Sequence, residues 1–217
     1  MKSQVVIIGG QAGAKIAYEF FYLQGKQVIG FMSNFVKTND WAGIPHQLFG
    51  EYSQKENLSL LRKQTTDYFV ATGDNFMRRD ITKDLTKLVG KPPINAIHPQ
   101  VVLSKFTTVG FGNLICPGAI INVGTKIGNG TIINTGAVIE HDVTIHDFAQ
   151  ISPNATLAGY VTIKEAAFIS SGATLIPHVT VGQQSTVAAG ATVLSDVEDF
   201  VLVAGCPAKV KKRLDQK

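Results

Sequence analysis

The chain has 217 residues, 45% hydrophobic and 17% charged, with a formal net charge of +4, the proportions of an ordinary globular protein of one or two domains. Part of that charge sits in the tail CPAKVKKRLDQK, and no basic stripe interleaved with aromatics appears along the chain, which argues against nucleic-acid binding. MKSQVVIIGG is too short an apolar run for a signal peptide, and no stretch approaches the roughly 18 apolar residues of a membrane span, so a cytoplasmic protein with no membrane insertion is expected.

At the N-terminus VVIIGG reads as a buried strand ending in glycines, and AKIAYEFFYLQG as a helix ending at Gly25. QVIGFM follows as a second strand, DYFVATGDN as a later one, and NFMRRDITKDLTKLVG as a closing helix. Together they predict a small α/β domain with a parallel sheet over residues 1–92, ended by Lys91-Pro92-Pro93, where proline fixes φ and stops the helix. A strand, a glycine loop and a helix suggest a dinucleotide site. The second strand, however, runs into Ser33 and Asn34 and lacks the acid that would hold a ribose hydroxyl, so NAD is not expected. The loop Gly10-Gln11-Ala12-Gly13 opens a helix, whose free amides and dipole favour an anion such as a phosphate-bearing substrate.

From residue 93 to 217 the pattern changes. Stepping by six from Ile97 through Ile115, Ile133, Ile151 and Ile169 to Val193, every residue is aliphatic. Four places after each the residue is mostly small or β-branched, as at Ala119, Thr125, Ala137 and Ala155. A period of six is neither that of a helix nor that of an alternating strand. It is the repeat of a parallel β-helix, three flat faces to a coil of roughly 18 residues. Gly124, Asn129, Gly130, Asn134, Gly136 and Gly172 are expected to take left-handed backbone at its corners.

One stretch of the repeat, NTGAVIEHD, sets His141 between two acids. His141 lies two residues past an inward position and so belongs at a corner, with Val123 and Gly159 one coil to either side; Gly159 leaves room for a ligand beside the ring. An imidazole near neutrality suits the proton transfer that acyl transfer to an amine requires, and an adjacent acid steadies the imidazolium. Spacing alone does not choose between Glu140 and Asp142. A backbone N–H near Gly159 is a candidate oxyanion donor. His98, His146 and His178 read as turn or corner residues. Cys116 and Cys206 have no metal-ligand spacing and read as small buried hydrophobes, no metal site is expected, and no G-x-S-x-G elbow offers a serine nucleophile.

The pieces VVIIGG, VATGDN, NAIHP, NTGAVIEHD, ISPNATLAG and GCPAKV make the chain resemble the hexapeptide-repeat sugar acyltransferases. These join a Rossmann-like α/β domain to a left-handed parallel β-helix, and include N-acetyltransferases of nucleotide-linked 4-amino-4,6-dideoxy sugars and sialic-acid O-acetyltransferases. The resemblance implies a homotrimer with acetyl-CoA bound between neighbouring prisms, His141 as general base and Asp142 as its support. It places Gln150 where a second histidine usually contacts the acyl-CoA, and the glycines Gly159, Gly172 and Gly190 along the cofactor groove. Lys209 or Lys211 would meet the cofactor phosphates, or else belong to a solvated helical tail. Substrate contacts fall to Gly10, Gln11, Ala12, Gly13, Ser33 and Asn34, with Gly13 and Ser33-Asn34 departing from the histidine and the acids common at those places. The implied activity is acetyl-CoA-dependent N-acetylation of a nucleotide-linked amino sugar for a surface glycan such as O-antigen. The alternatives are a sugar O-acetyltransferase and a noncatalytic trimeric scaffold.

Overall fold

The computed structural model describes residues 4–33 and 47–215, so Asn34 lies outside the described residues. The chain divides into two compact units, Met1–Pro99 and Gln100–Lys217.

The N-terminal unit is a three-stranded parallel sheet in the order β2-β1-β3, with β1 over Gln4–Ile8, β2 over Gln27–Met32 and β3 over Thr66–Val70. An unbroken apolar run suits the central position: Val5, Val6 and Ile7 are fully buried. Helix α1, Ala12–Leu23, buries Ala14, Ala17, Phe20 and Phe21, and Gly25 after it takes a left-handed φ of 71°. Helix α3, Asn75–Val89, starts at Asp74, whose carboxylate accepts from the Met77 N–H at 2.8 Å, and stops at Gly90 with φ 83°. Between them the short helix α2, Lys55–Leu61, has no counterpart in the sequence reading. Seven residues carry too little periodicity to announce a helix. It is pinned by tertiary contacts instead: buried Asn57 donates to the carbonyls of Phe49 and Glu51 at 2.8 and 2.7 Å.

The second unit is a parallel β-solenoid of two-residue strands on three faces. On one face Ile115, Ile133, Ile151, Ile169 and Val187 pair in succession, each 18 residues after the last. A second face stacks Leu103, Ile121, Ile139, Leu157, Leu175 and Val193, and a third Val109, Ile127, Ile145, Ile163 and Val181. The second residue of each strand points inward. Leu103, at 36% exposed, and half-buried Val109 are less covered because their strands are the terminal members of their faces. The small residues two places before each inward aliphatic are inside as well: Ala119, Thr125, Ala137, Ala155 and Ser185 are all 0% exposed. Where such a residue is polar it is satisfied, since buried polar groups are costly otherwise. The Thr125 hydroxyl donates to Glu140 O at 3.0 Å, that of Thr131 to Asn113 Oδ1 at 2.9 Å, and that of Ser185 to Glu198 O at 2.6 Å.

The corners differ from expectation. Gly124, Gly130, Gly136 and Gly172 do take positive φ, but Asn129 and Asn134 do not. These asparagines act through their side chains: Asn129 Nδ2 donates to both oxygens of Asp147, and Asn134 Oδ1 accepts from the Thr135 N–H at 2.8 Å. The left-handed corner positions also admit Asp142, Phe148, Asn154, Tyr160, Ala166, His178, Gln184 and Phe200. Such a conformation costs a side-chain-bearing residue of order 1 kcal/mol or more, so it is the coil that imposes it.

The C-terminal tail is not a helix. Val201–Ala204 continues the first face in parallel with Thr186 and Val187, and Lys209–Arg213 returns antiparallel to it. A strand edge left by the last coil needs a partner, and the exposed Lys209, Lys211, Lys212 and Arg213 then charge the new edge against further pairing. Cys116 is buried, which pushes its thiol up to about 11, but Cys206 in the turn between these strands is exposed.

Ile139→Ala removes a fully buried side chain from a coil whose neighbours cannot collapse onto the gap, and is expected to cost about 2–5 kcal/mol by denaturant unfolding. Val210→Ala, at a position 57% exposed on the edge strand, is expected to change stability by less than about 0.5 kcal/mol.

Candidate functional site

His141 occupies a corner between the second and third faces. The residue after it, Asp142, takes left-handed backbone with φ 58°, which turns its carboxylate back alongside the imidazole: Nδ1 and Oδ2 are 3.0 Å apart. Glu140 is engaged elsewhere, its Oε2 accepting from Asn122 Nδ2 at 3.1 Å. The structure thus separates the two acids that spacing could not. A carboxylate only accepts, so the imidazole places its proton on Nδ1 and leaves Nε2 with a lone pair. Both side chains are 46% exposed.

Two glycines one coil away make this possible. A Cβ on Gly159 would stand 2.7 Å from Cε1 and 2.8 Å from Nε2 of His141. A Cβ on Gly124 would stand 2.4 Å from Oδ1 of Asp142. The space at Gly159 is therefore taken by the imidazole itself, not left for a ligand beside it. Of the backbone donors near Gly159, the Tyr160 N–H is already given to His141 O at 3.2 Å.

Two residues outside the expected site complete the corner. Tyr160 meets the His141 ring edge to face, centroids 5.2 Å apart and planes at 88°. His178, read as a turn residue, stacks on Tyr160 with centroids 4.8 Å apart and planes within 4°. Their signal was their spacing, since Asp142, Tyr160 and His178 follow each other at one-coil intervals.

Gln150 lies nine residues after His141, half a coil, and so faces away from it on the first face of the solenoid. Its Oε1 is buried and has no hydrogen-bond partner among the described residues. Gly172 and Gly190 stack one coil apart on the corner between the first and second faces, with φ 68° and 66° and open space where a Cβ would be. Within one chain, then, Gly159 joins His141, while Gln150, Gly172 and Gly190 belong to other sides. His146 is exposed, and His98 packs edge-on against Phe20 at 5.0 Å.

In the N-terminal unit a cleft of about 420 Å³ opens at the carboxyl ends of β1 and β3. Gly10, Gln11, Ala12, Gly13 and Ser33 line it, together with Gly9, Ala71, Thr72, Gly73, Asp74 and Met77, the last five outside the residues singled out in the sequence. Gly9, with φ 136°, is required there: a Cβ would come within 2.8 Å of Ala71 O. The second wall is held from below by Arg78, 1% exposed, which donates to Thr72 O, Gly73 O and Asn75 Oδ1 at 2.8–3.0 Å. Burial pushes this guanidinium down to about 10, against the opposing pull of Asp74. No helix among the described residues is long and apolar enough to cross a membrane.

Comparison with known proteins fits this geometry. The bacterial transferase hexapeptide family, a model of six repeats, matches residues 124–159, which hold His141, Asp142 and both glycines beside them. No curated protein sequence matches the chain. Among solved structures, perosamine N-acetyltransferase from Caulobacter crescentus is 37% identical over 96% of this chain and 97% of its own, with a TM-score of 0.87. It was captured with CoA and GDP-perosamine in forms where a histidine is replaced by asparagine or by alanine. The acetyltransferase domain of PglB from Neisseria gonorrhoeae, in complex with acetyl coenzyme A, is 29% identical over 97% and 100%, with a TM-score of 0.83. WeeI from Acinetobacter baumannii, 21% identical over 95% and 99%, shares the fold with a TM-score of 0.82. The chain belongs to the hexapeptide-repeat sugar N-acetyltransferases and is an enzyme of that family.

Proposed function

We propose that this enzyme transfers an acetyl group from acetyl-CoA to the amine of a nucleotide-linked amino sugar of the 4-amino-4,6-dideoxyhexose type. The observation that carries the reading is the accessible imidazole whose Nδ1 is bonded to Asp142 and whose ring lies over Gly159. In the reaction the amine nitrogen attacks the thioester carbonyl and the C–N bond forms as the C–S bond breaks. Nε2 of His141 takes a proton from the attacking nitrogen and passes it to the departing thiolate, which leaves as CoA-SH. Asp142 fixes the tautomer and stabilises the imidazolium. Support comes from the Caulobacter enzyme, two forms of which have lost a histidine yet hold both CoA and GDP-perosamine. A histidine that can be lost without losing either ligand fits a role other than holding them.

The N-terminal unit is read as a Rossmann-like domain that takes the nucleotide, its diphosphate against the amides of Gly10, Gln11, Ala12 and Gly13 at the start of α1, with Ser33 beside it. No acidic residue stands in the first turn of that helix to oppose an anion. The solenoid is read as a left-handed β-helix assembled as a homotrimer. Half a coil separates Gln150 from His141 in one chain, so a thioester that touches both lies between two copies. The second face, with Val102 and Ile120 61% and 37% exposed, and the corner after it, with Phe106 and Val123 73% and 51% exposed, supply an apolar surface for such packing. Gln150, with its unpartnered Oε1, and Gly172 and Gly190 then line the cofactor groove from the neighbouring side. The setting is the cytoplasm, where a nucleotide sugar for O-antigen or a similar surface glycan is finished.

His141→Ala is expected to lower kcat on a nucleotide-linked 4-amino sugar about 100-fold or more while calorimetry still reads CoA binding; turnover near that of the wild type removes the proposed base. A panel of amine and hydroxyl acceptors separates N- from O-acetylation, with product expected from the amine alone. Gly159→Ala, at a position whose backbone tolerates a side chain, is expected to keep the thermal midpoint within a few degrees yet displace the imidazole and lower kcat about 10-fold or more, measured on the same substrate.

A further inference from the structure

The corner that carries His141 continues up the solenoid as a column of rings. Tyr160 and His178 both occupy the left-handed corner position one and two coils beyond Asp142, with φ 62° and 67°. Backbone hydrogen bonds tie the coils at this corner: the Tyr160 N–H donates to His141 O at 3.2 Å, and the His178 N–H to Gly159 O at 3.0 Å. The 4.8 Å between the stacked rings equals the spacing of adjacent strands, so the solenoid itself sets their stacking distance. Tyr160 is half exposed, and left alone its ring would sample several rotamers. The parallel His178 ring closes one side of it, and the perpendicular contact to His141 uses another.

The imidazole of His141 needs such a neighbour. Its hydrogen bond to Asp142 lies in a partly exposed corner where water competes for both groups. Gly159 gives the ring a seat without walls, because a glycine excludes nothing. Edge-to-face aromatic contacts stabilise beyond area burial, enough to favour one ring orientation several-fold.

We infer that Tyr160, backed by His178, is a positioning residue that holds the His141 imidazole in the single orientation that keeps Nδ1 on Asp142. Tyr160 acts through the imidazole, and His178 acts through Tyr160. The consequence for catalysis rests on the reading of His141 as the base, but the orientation itself does not.

The test joins structure and rate. A crystal structure of Tyr160→Ala is expected to show the His141 ring in a second rotamer or detached from Asp142; a ring unchanged from the wild type overturns the inference whatever the activity. In kinetics on a nucleotide-linked 4-amino sugar, Tyr160→Ala is expected to lower kcat about 10-fold with KM for acetyl-CoA and for the sugar within about 2-fold, and Tyr160→Phe, which keeps the ring, to retain at least about a third of wild-type kcat. His178→Ala is expected to lose about 3-fold or more and His178→Phe to recover most of it. Should Tyr160→Ala raise KM for the sugar while kcat holds, Tyr160 is a substrate contact and the positioning role is wrong. The His141→Ala variant, assayed alongside, keeps the two claims apart. If it is inactive while Tyr160→Ala is not, the base stands and the positioning role fails. If His141→Ala is fully active, the base fails and the crystal structure alone decides the orientation.

Discussion

Stacking of each residue on the one 18 places later is the constraint from which the rest of the second unit follows. Strands of two residues cannot be stable alone; they persist because each backbone group is bonded to the coil before and after, and because two inward positions in every six are filled by an aliphatic and a small residue. A repeat so regular fixes side chains at the corners to a register as strict as that of the core. Nothing in the corner at His141 is set by a flexible loop.

That register explains why the site has the composition it has. His141 and Asp142 are adjacent in sequence, yet each depends on a glycine in a different coil, Gly159 for the ring and Gly124 for the carboxylate. Left-handed backbone at Asp142 turns its carboxylate toward the imidazole rather than away from it. The same corner position in the next two coils receives Tyr160 and His178, so the geometry that pairs acid and base also builds the aromatic column beside them. The half-coil separation of Gln150 from His141 belongs to this arithmetic too, and it is why a single chain presents the parts of the proposed active site on different sides.

Much of this was legible in the sequence. Inward positions must be aliphatic, so the six-residue phase is visible from Ile115 to Val193 and marks His141 as a corner residue. The buried run VVII and the stops at Gly25 and Gly90 are local signals that the fold obeys. Corner residues face no such compositional filter. Asp142, Phe148, Tyr160 and His178 adopt the left-handed conformation because the coil requires it, while Asn129 and Asn134, residues that favour it, are diverted to side-chain hydrogen bonds. The tail was misread for a related reason: Lys209–Arg213 has helical composition, but an open strand edge at Val201–Ala204 recruits it. In the cleft, Gly10 to Gly13 follow from the strand-turn-helix pattern, whereas Thr72 and Gly73 are brought in by the parallel pairing of β1 with β3 and by buried Arg78, contacts between segments far apart in the chain.

The account rests on the imidazole of His141 standing where the acetyl group changes hands. A crystal structure with CoA and a nucleotide-linked 4-amino sugar bound together tests this most directly. The sugar nitrogen is predicted to lie about 2.6–3.2 Å from Nε2 of His141, or one water away, with the CoA sulfur beside it. A sugar nitrogen and a sulfur that meet at another corner of the solenoid, with His141 facing only solvent, would contradict it.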